Sequence, residues 1–333
     1  MDKKWYKGKR ILLLAPEFYD YYKDIKRELE RRESEVDVIL DNFADKDIFY
    51  RLFWIKNDKL RYKYSQNYYI KRINLLDKDY DVILMIRGTA IDRNIIKLLK
   101  TRYKKAKLIM YQWDSIDNNK SCLEIAKYFD YAFTFDRNDA DYLGWNYRPL
   151  FFGDEVRIND VNRKYDFALV GTLYYKRALL LKKVKEFSDR YGYSLFDYLV
   201  SPRLVFYLHK YIMHDSKYKD ISKKEVKFKS LKREDLRETY CDSKILVDYA
   251  ADNQEGLTMR SIESIGYGCK LITNNKSIMR EDIYRFGNIY IYDLDLFDVP
   301  KSFIESPYNM VSNDVMHYYS ISGWVDDIFK YMD

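Results

Sequence analysis

The sequence predicts an α/β protein made of two Rossmann-like, doubly wound parallel-sheet domains facing a cleft. Three observations predict it. The chain has 333 residues, more than the ~250–300 at which single hydrophobic cores stop growing. Short apolar runs alternate with helix-period segments from end to end, the pattern of βαβ units and a parallel sheet. The alternation lapses across the polar, non-periodic "FFGDEVRINDVNRK" of residues 151–164, which reads as a linker, and then restarts over a second stretch of similar size. No short fixed-period repeat and no low-complexity segment competes with this reading.

The elements follow in order. "RILLLAPEF" (10–18) is a buried strand stopped by Pro16. "YYKDIKRELERR" has helical spacing, and "EVDVILDN" is a second strand. "YDVILMIRG" (80–88) is a third, closed by Gly88, and the helical "DRNIIKLLKTRYKK" follows. "AKLIMYQWD" (106–114), the helix "CLEIAKYFD" and the strand "YAFTFD" (131–136) complete the first half. The second half begins with "YDFALVGT" (165–172) and the long basic helix "LYYKRALLLKKVKEFSDRYG", which reads as packing on its own sheet rather than touching anionic lipid. Residues 194–224 break the alternation and read as an insertion. Then come strand "VKFKSL", helix "KREDLRETYCDS", strand "KILVDYA", helix "TMRSIESIGYG" with its glycine stop, strands "KLITNN" and "IYIYD", and a terminal helix around "VDDIFKYMD". The domains implied are 1–155 and 156–315, with 316–333 returning to the first.

Composition narrows the class. Hydrophobic residues are 47% and charged residues 33%, enough apolar material for packed cores. Net charge is +7, from 59 basic and 52 acidic residues. Basic and acidic residues interleave, so a nucleic-acid stripe is not expected. An anionic ligand or peripheral contact with an inner membrane surface is permitted but not compelled. Cys122, Cys241 and Cys269 are far apart, which gives no disulfide framework or zinc spacing and suggests a reducing compartment. The apolar run after the basic start is too short for a secretory signal, and no run approaches a membrane span. A cytoplasmic protein is expected.

The stretch "NQEGLTMRSIESIGYGCKLIT" (253–273) concentrates the chemistry. A helix beginning near Leu257 would place Glu255 on the loop ahead of its N-terminus and Glu263 about two turns in. Arg260 and Glu263 would share a face. Gly256 would let the backbone turn and approach a ligand closely. The first-turn N–H groups and the helix dipole make an anion site suited to a diphosphate, and Arg260 would add charge-assisted hydrogen bonds. Glu263 would accept from ribose hydroxyls, as acidic residues do in dinucleotide sites. Glu255 would hold sugar hydroxyls beyond the phosphates.

This stretch resembles the nucleotide-sugar segment of GT-B glycosyltransferases with a Glu-x7-Glu motif, above all bacterial capsule and lipopolysaccharide enzymes whose motif reads much like Gly-Leu-Thr-x-Arg-x-x-Glu. The specific match covers residues 244–274; a looser architectural likeness covers the whole chain. The resemblance implies that Glu263 binds ribose, that Glu255 meets the donor sugar, and that backbone at Gly256, Leu257 and Thr258 meets the diphosphate. "DYAADNQ" before Glu255 lacks the Pro-Ser common in retaining families, and no histidine precedes His209, which leaves retention or inversion open.

Further candidates sit at strand ends. Gly171 and Thr172 close a strand, and Lys176 or Arg177 would neutralise a diphosphate without a metal. Lys176 and Arg177 read equally as part of a solvated face with Lys182, Lys183 and Lys185. Backbone around Lys229, Ser230 and Leu231 would read a nucleobase edge, or simply turn from strand to helix. Arg87 and Trp113 lie on the acceptor side, Trp113 stacking on a sugar or packing. Asp114 would be a general base or a loop cap. Asp136 and Arg137 are weaker candidates. "DLDLFD" (293–298) reads as a polar loop rather than metal ligands, and His209 and His214 as ordinary histidines.

The expectation is a metal-independent glycosyltransferase, without cofactor, acting on a nucleotide-sugar donor and a glycan or lipid-linked acceptor. By resemblance its setting is bacterial surface polysaccharide. A polyol-phosphate or sugar-phosphate transferase and a non-catalytic nucleotide- or sugar-binding protein are the alternatives.

Overall fold

The computed structural model describes residues 5–41, 58–89, 91–153, 163–219, 221–251 and 254–332. It divides into two compact units: Met1–Asp154 with Asn253–Gly256 and Ser320–Asp333, and Glu155–Asp252 with Leu257–Tyr319.

The first unit carries strands β1 (Arg10–Ala15), β2 (Glu35–Leu40), β3 (Val82–Ile86), β4 (Lys107–Gln112), β5 (Tyr131–Thr134) and β6 (Asn146–Tyr147). Their order is β2-β1-β3-β4-β5-β6, parallel throughout. All five residues of β3 are buried, which is why the run is continuously apolar: a parallel strand covered on both faces has no polar side to show. The helix Tyr21–Arg31 buries Tyr21, Ile25 and Leu29, four residues apart each time. Asp92 starts the helix Arg93–Arg102 by accepting from the N–H groups of Asn94 and Ile95. A helix at Asp58–Asn74 was not foreseen; its Tyr- and Lys-rich run carries no clear apolar stripe.

The chain end belongs to this unit. The helix Ile321–Ile328 buries Trp324, whose ring lies 5.0 Å from Tyr111 and 5.1 Å from Phe151. Phe152 bridges Ser320 and accepts from Ile321 N–H at 2.9 Å. Phe151 and Phe152 are therefore buried core and not linker. Residues 154–162 of the expected linker lie outside the described residues.

The second unit carries β7 (Tyr165–Thr172), β8 (Leu195–Val200), β9 (Val226–Lys227), β10 (Ser243–Val247), β11 (Lys270–Thr273) and β12 (Ile289–Ile291). The order is β12-β11-β10-β7-β8-β9, again parallel. Numbered within the unit this is 3-2-1-4-5-6 read from β9, the dinucleotide-fold order. Residues 194–224 are not an insertion at their start: "LFDYLV" is β8, hydrogen-bonded between β7 and β9. Its residues are mostly half-buried, so they lack the solid apolar signature of the central strands. "VKFKSL" contributes only two residues of strand, at the sheet edge. The helix Tyr175–Tyr191 packs Leu180, Leu181, Val184 and Phe187 inward and ends at Gly192, whose φ of 72° is the left-handed stop.

Buried Lys270 donates to the carbonyls of Phe303, Ile304 and Ser306, satisfying the open C-terminus of the helix Lys301–Glu305. No disulfide joins the described cysteines, and burial pushes the thiols of Cys122 and Cys269 up to about 12. Among the described residues no helix is long and apolar enough to cross a membrane.

Candidate functional site

In the second unit, β7 and β10 are neighbours from which the chain winds in opposite directions. Ligands of open α/β sheets bind outside the carboxyl ends of the strands at such a reversal. There β7 ends in Gly171 and Thr172, and β10 runs into Asp248 and Tyr249.

Two guanidiniums gather at that point. Arg260 donates to the Asp248 carboxylate and to the Val170 carbonyl. Arg177 donates to the carbonyls of Thr172 at 2.6 Å and Tyr249 at 3.0 Å. A Cβ on Gly171 would lie 3.0 Å from Arg177 Nη1 and 3.1 Å from Arg260 Nη2. The glycine therefore leaves room for both cations. Among the described residues Arg177 makes no ion pair, and the Nε atoms of both arginines are buried without a hydrogen-bond acceptor. Burial first, and then the Arg260 charge, pull Arg177 down to about 10, so it stays cationic at neutral pH. Burial also opposes the charge on Arg260, but Tyr240, Asp248 and Glu263 together push its pKa up. Two half-buried cations side by side are unfavourable unless an anion joins them.

Asp248 is fully buried and organises this corner. Its second oxygen accepts from Thr258 Oγ1 at 2.9 Å and Thr273 Oγ1 at 3.3 Å. Thr258 is also the N-cap of the helix Met259–Gly266, its hydroxyl accepting from Ser261 N–H. The helix therefore starts two residues after Leu257, which is itself buried in the core. Glu263 is buried in the second turn, on the Arg260 side.

Thr172, Lys176 and Ser230 are exposed, and Leu231 is half-buried. Ser230 and Leu231 follow edge strand β9, two strands from β7, or about 10 Å at the usual strand spacing. The Lys229 carbonyl accepts from Tyr198 Oη at 2.9 Å.

In the first unit, Arg87 follows β3 with φ 67° and Gly88 with φ 66°. A left-handed arginine is uncommon and costs about 1 kcal/mol or more. Its carbonyl is held by Gln112 Nε2 at 2.7 Å and Asn119 Nδ2 at 3.1 Å, and those two amides meet at 3.0 Å. This side-chain frame fixes the unusual backbone. Arg87 Nε lies 2.7 Å from Asp114 Oδ2, both groups about one-third exposed. Trp113 stands edge-on to Phe18, with centroids 6.3 Å apart.

Asp136 caps the helix Arg137–Leu143 and with its other oxygen accepts from Gly256 N–H at 2.9 Å. A Cβ on Gly256 would fall 2.4 Å from the Phe135 ring. The residue is thus glycine because an aromatic ring lies against it, and its N–H is already engaged. That corrects the expectation of a ligand-facing amide at this position. Glu255 is exposed. Arg137 stacks 4.1 Å from the Tyr147 ring centroid.

Asp248, Tyr240 and Tyr249 were missed from the sequence. The available signal was an aspartate directly after a buried apolar strand in the half that carries the motif. His209 pairs with Asp215 at 3.2 Å and stacks on Tyr218. Asp293 caps Asp295 N–H at 2.8 Å. No cluster of three or more metal-ligating side chains occurs among the described residues.

No family model matches the chain, and no curated protein matches it in sequence. Solved structures match it in fold. S. aureus MnaA in complex with UDP superposes with a TM-score of 0.55 at 13% identity, covering 98% of this chain and 97% of the other. The catalytic domain of starch synthase IV from Arabidopsis thaliana, bound to ADP and acarbose, gives 0.49 at 10%, covering 97% and 95%. Acinetobacter baumannii MurG gives 0.46 at 8%, covering 96% and 95%. At 13% identity the likeness to MnaA is one of fold alone. With two six-stranded parallel sheets among the described residues, the chain has the GT-B fold of two Rossmann-like domains.

Proposed function

We propose that the protein is a glycosyltransferase that moves a sugar from a nucleotide-sugar donor to a glycan or lipid-linked acceptor. The observation that carries this is the pair of guanidiniums, Arg177 and Arg260, around Gly171 at the ends of β7 and β10. Their charge suits the donor diphosphate and the leaving nucleotide. Stabilising that leaving charge is the main work of a transferase that uses no metal. Glu263 takes the ribose and Glu255 the donor sugar, while Thr172, Lys176 and the backbone at Leu257 and Thr258 border the phosphates. Ser230 and Leu231 border the base. Asp114, paired to Arg87, serves as base toward the acceptor hydroxyl, and Trp113 offers a ring face to a sugar. The likeness of residues 244–274 to capsule and lipopolysaccharide enzymes makes bacterial surface-polysaccharide assembly the proposed setting, in the cytoplasm. UDP, which MnaA holds, is the first nucleotide to try.

The two glutamates separate the steps. Glu263→Ala is expected to weaken nucleotide binding about tenfold, the scale of a charge-assisted hydrogen bond. Glu255→Ala is expected to leave nucleotide affinity near wild type and to lower transfer. Calorimetric titration with nucleotide and a donor-turnover assay check both. Two variants that keep wild-type affinity and turnover would reject the assignments.

A further inference from the structure

After β8 the chain forms the short helix Arg203–Tyr207 and runs directly into a π-helical turn, Leu208–Ile212, closed by Met213 N–H on the Leu208 carbonyl at 2.8 Å. One side of this element is anchored. Phe206 is fully buried, with Tyr218 and Phe228 around its ring. The other side is apolar too, and open. Leu204 is 79% exposed, Ile212 69%, Met213 59% and Tyr211 51%. Leu204 and Leu208 lie about one turn apart, and Tyr211, Ile212 and Met213 follow in direct succession on the π-helical turn, so the exposed apolar side chains form a continuous stripe along this short element rather than scattered exposure. Isolated exposed apolar side chains need no explanation, but a contiguous set does.

The surroundings say what covers it. From Arg203 to Lys224 there are six Lys or Arg and two Asp. One of the two, Asp215, is paired to His209. Lys217, Lys219, Lys223 and Lys224 are exposed. Tyr211 of the stripe stacks on Tyr207 beside it, and Lys223 lies over Tyr207. An apolar face bordered by tyrosines and a lysine-rich fringe matches a bilayer interface, where apolar residues enter the acyl boundary and lysines meet anionic headgroups. We infer that this face, centred on Leu204, Tyr211, Ile212 and Met213, docks the second unit on the surface of an anionic membrane. The inference stands apart from the nucleotide site and concerns where the protein works. It also fits an acceptor carried on a lipid.

The test is vesicle co-sedimentation of the full chain with phosphatidylcholine alone or with added phosphatidylglycerol, at low and high salt. Wild type is expected to pellet with the phosphatidylglycerol vesicles at low salt and to release as salt rises. The triple change Leu204→Ser, Ile212→Ser and Met213→Ser is expected to weaken binding at least about tenfold. The set Lys217→Gln, Lys223→Gln and Lys224→Gln is expected to remove the preference for the anionic lipid. Both sets change exposed groups, so melting temperature and nucleotide affinity are expected to stay at wild type, which keeps this result distinct from that of the donor site. Wild type that ignores phosphatidylglycerol vesicles at low salt, or a serine variant that binds them equally, overturns the proposal. So does a concentration-dependent dimer of the wild type that the serine variant dissolves, since the face would then cover a second copy.

Discussion

Replacing Arg177 by methionine is expected to lower affinity for a nucleoside diphosphate by roughly ten- to a hundredfold, the worth of one or two charge-assisted hydrogen bonds. Folding stability is expected to stay within about 1 kcal/mol of wild type. The two readouts separate because Arg177 has carbonyls rather than a carboxylate as its partners and stands beside a second cation. Methionine gives up two carbonyl contacts but also removes the repulsion with Arg260. A purely structural arginine would behave otherwise, with stability falling and affinity following only as the folded fraction fell. Thermal melts without ligand, set beside calorimetric titration with UDP, distinguish the cases.

The second large effect is on stability. Asp248→Ala is expected to cost about 3–5 kcal/mol, because it strands a buried cation. Asp248 is the carboxylate of the Arg260 pair, and it also receives the hydroxyls of Thr258 and Thr273. Its loss leaves Arg260 beside Arg177 with no carboxylate at the strand end, and frees the threonine that caps the next helix. Asp248→Asn keeps an acceptor for Thr258 and is expected to cost less. Urea unfolding followed by far-UV circular dichroism reads the difference. An alanine variant within about 1 kcal/mol of wild type would show that Asp248 does not organise the corner.

The central strands were legible because parallel strands covered on both faces are written as unbroken apolar runs, as in "RILLLA", "VILMI" and "KILV". Edge and half-covered strands were not. β6 has two residues, and β8 mixes aromatic and charged side chains because much of it is only half-buried. Gly171, Arg260 and, as one of two alternatives with Lys176, Arg177 were each legible as lying near a strand end or helix start. The reason for the glycine was not, since it depends on two side chains from distant segments meeting at one point. Asp248 was missed for the same reason: its partners lie 10, 12 and 25 residues away. Gly256 shows the opposite error. Local reasoning gave it to a ligand, whereas the Phe135 ring and the Asp136 carboxylate, over a hundred positions earlier, already occupy its surroundings.

The most direct measurement is calorimetric titration of UDP and uridine into wild type and Arg177→Met. If the arginine pair holds a diphosphate, UDP binds the wild type, uridine binds far more weakly for want of phosphates, and the substitution removes most of that difference. If neither UDP nor ADP, GDP or CDP binds the wild type, or if Arg177→Met binds UDP as tightly as wild type does, the pair is not a diphosphate site and the transferase proposal loses its basis.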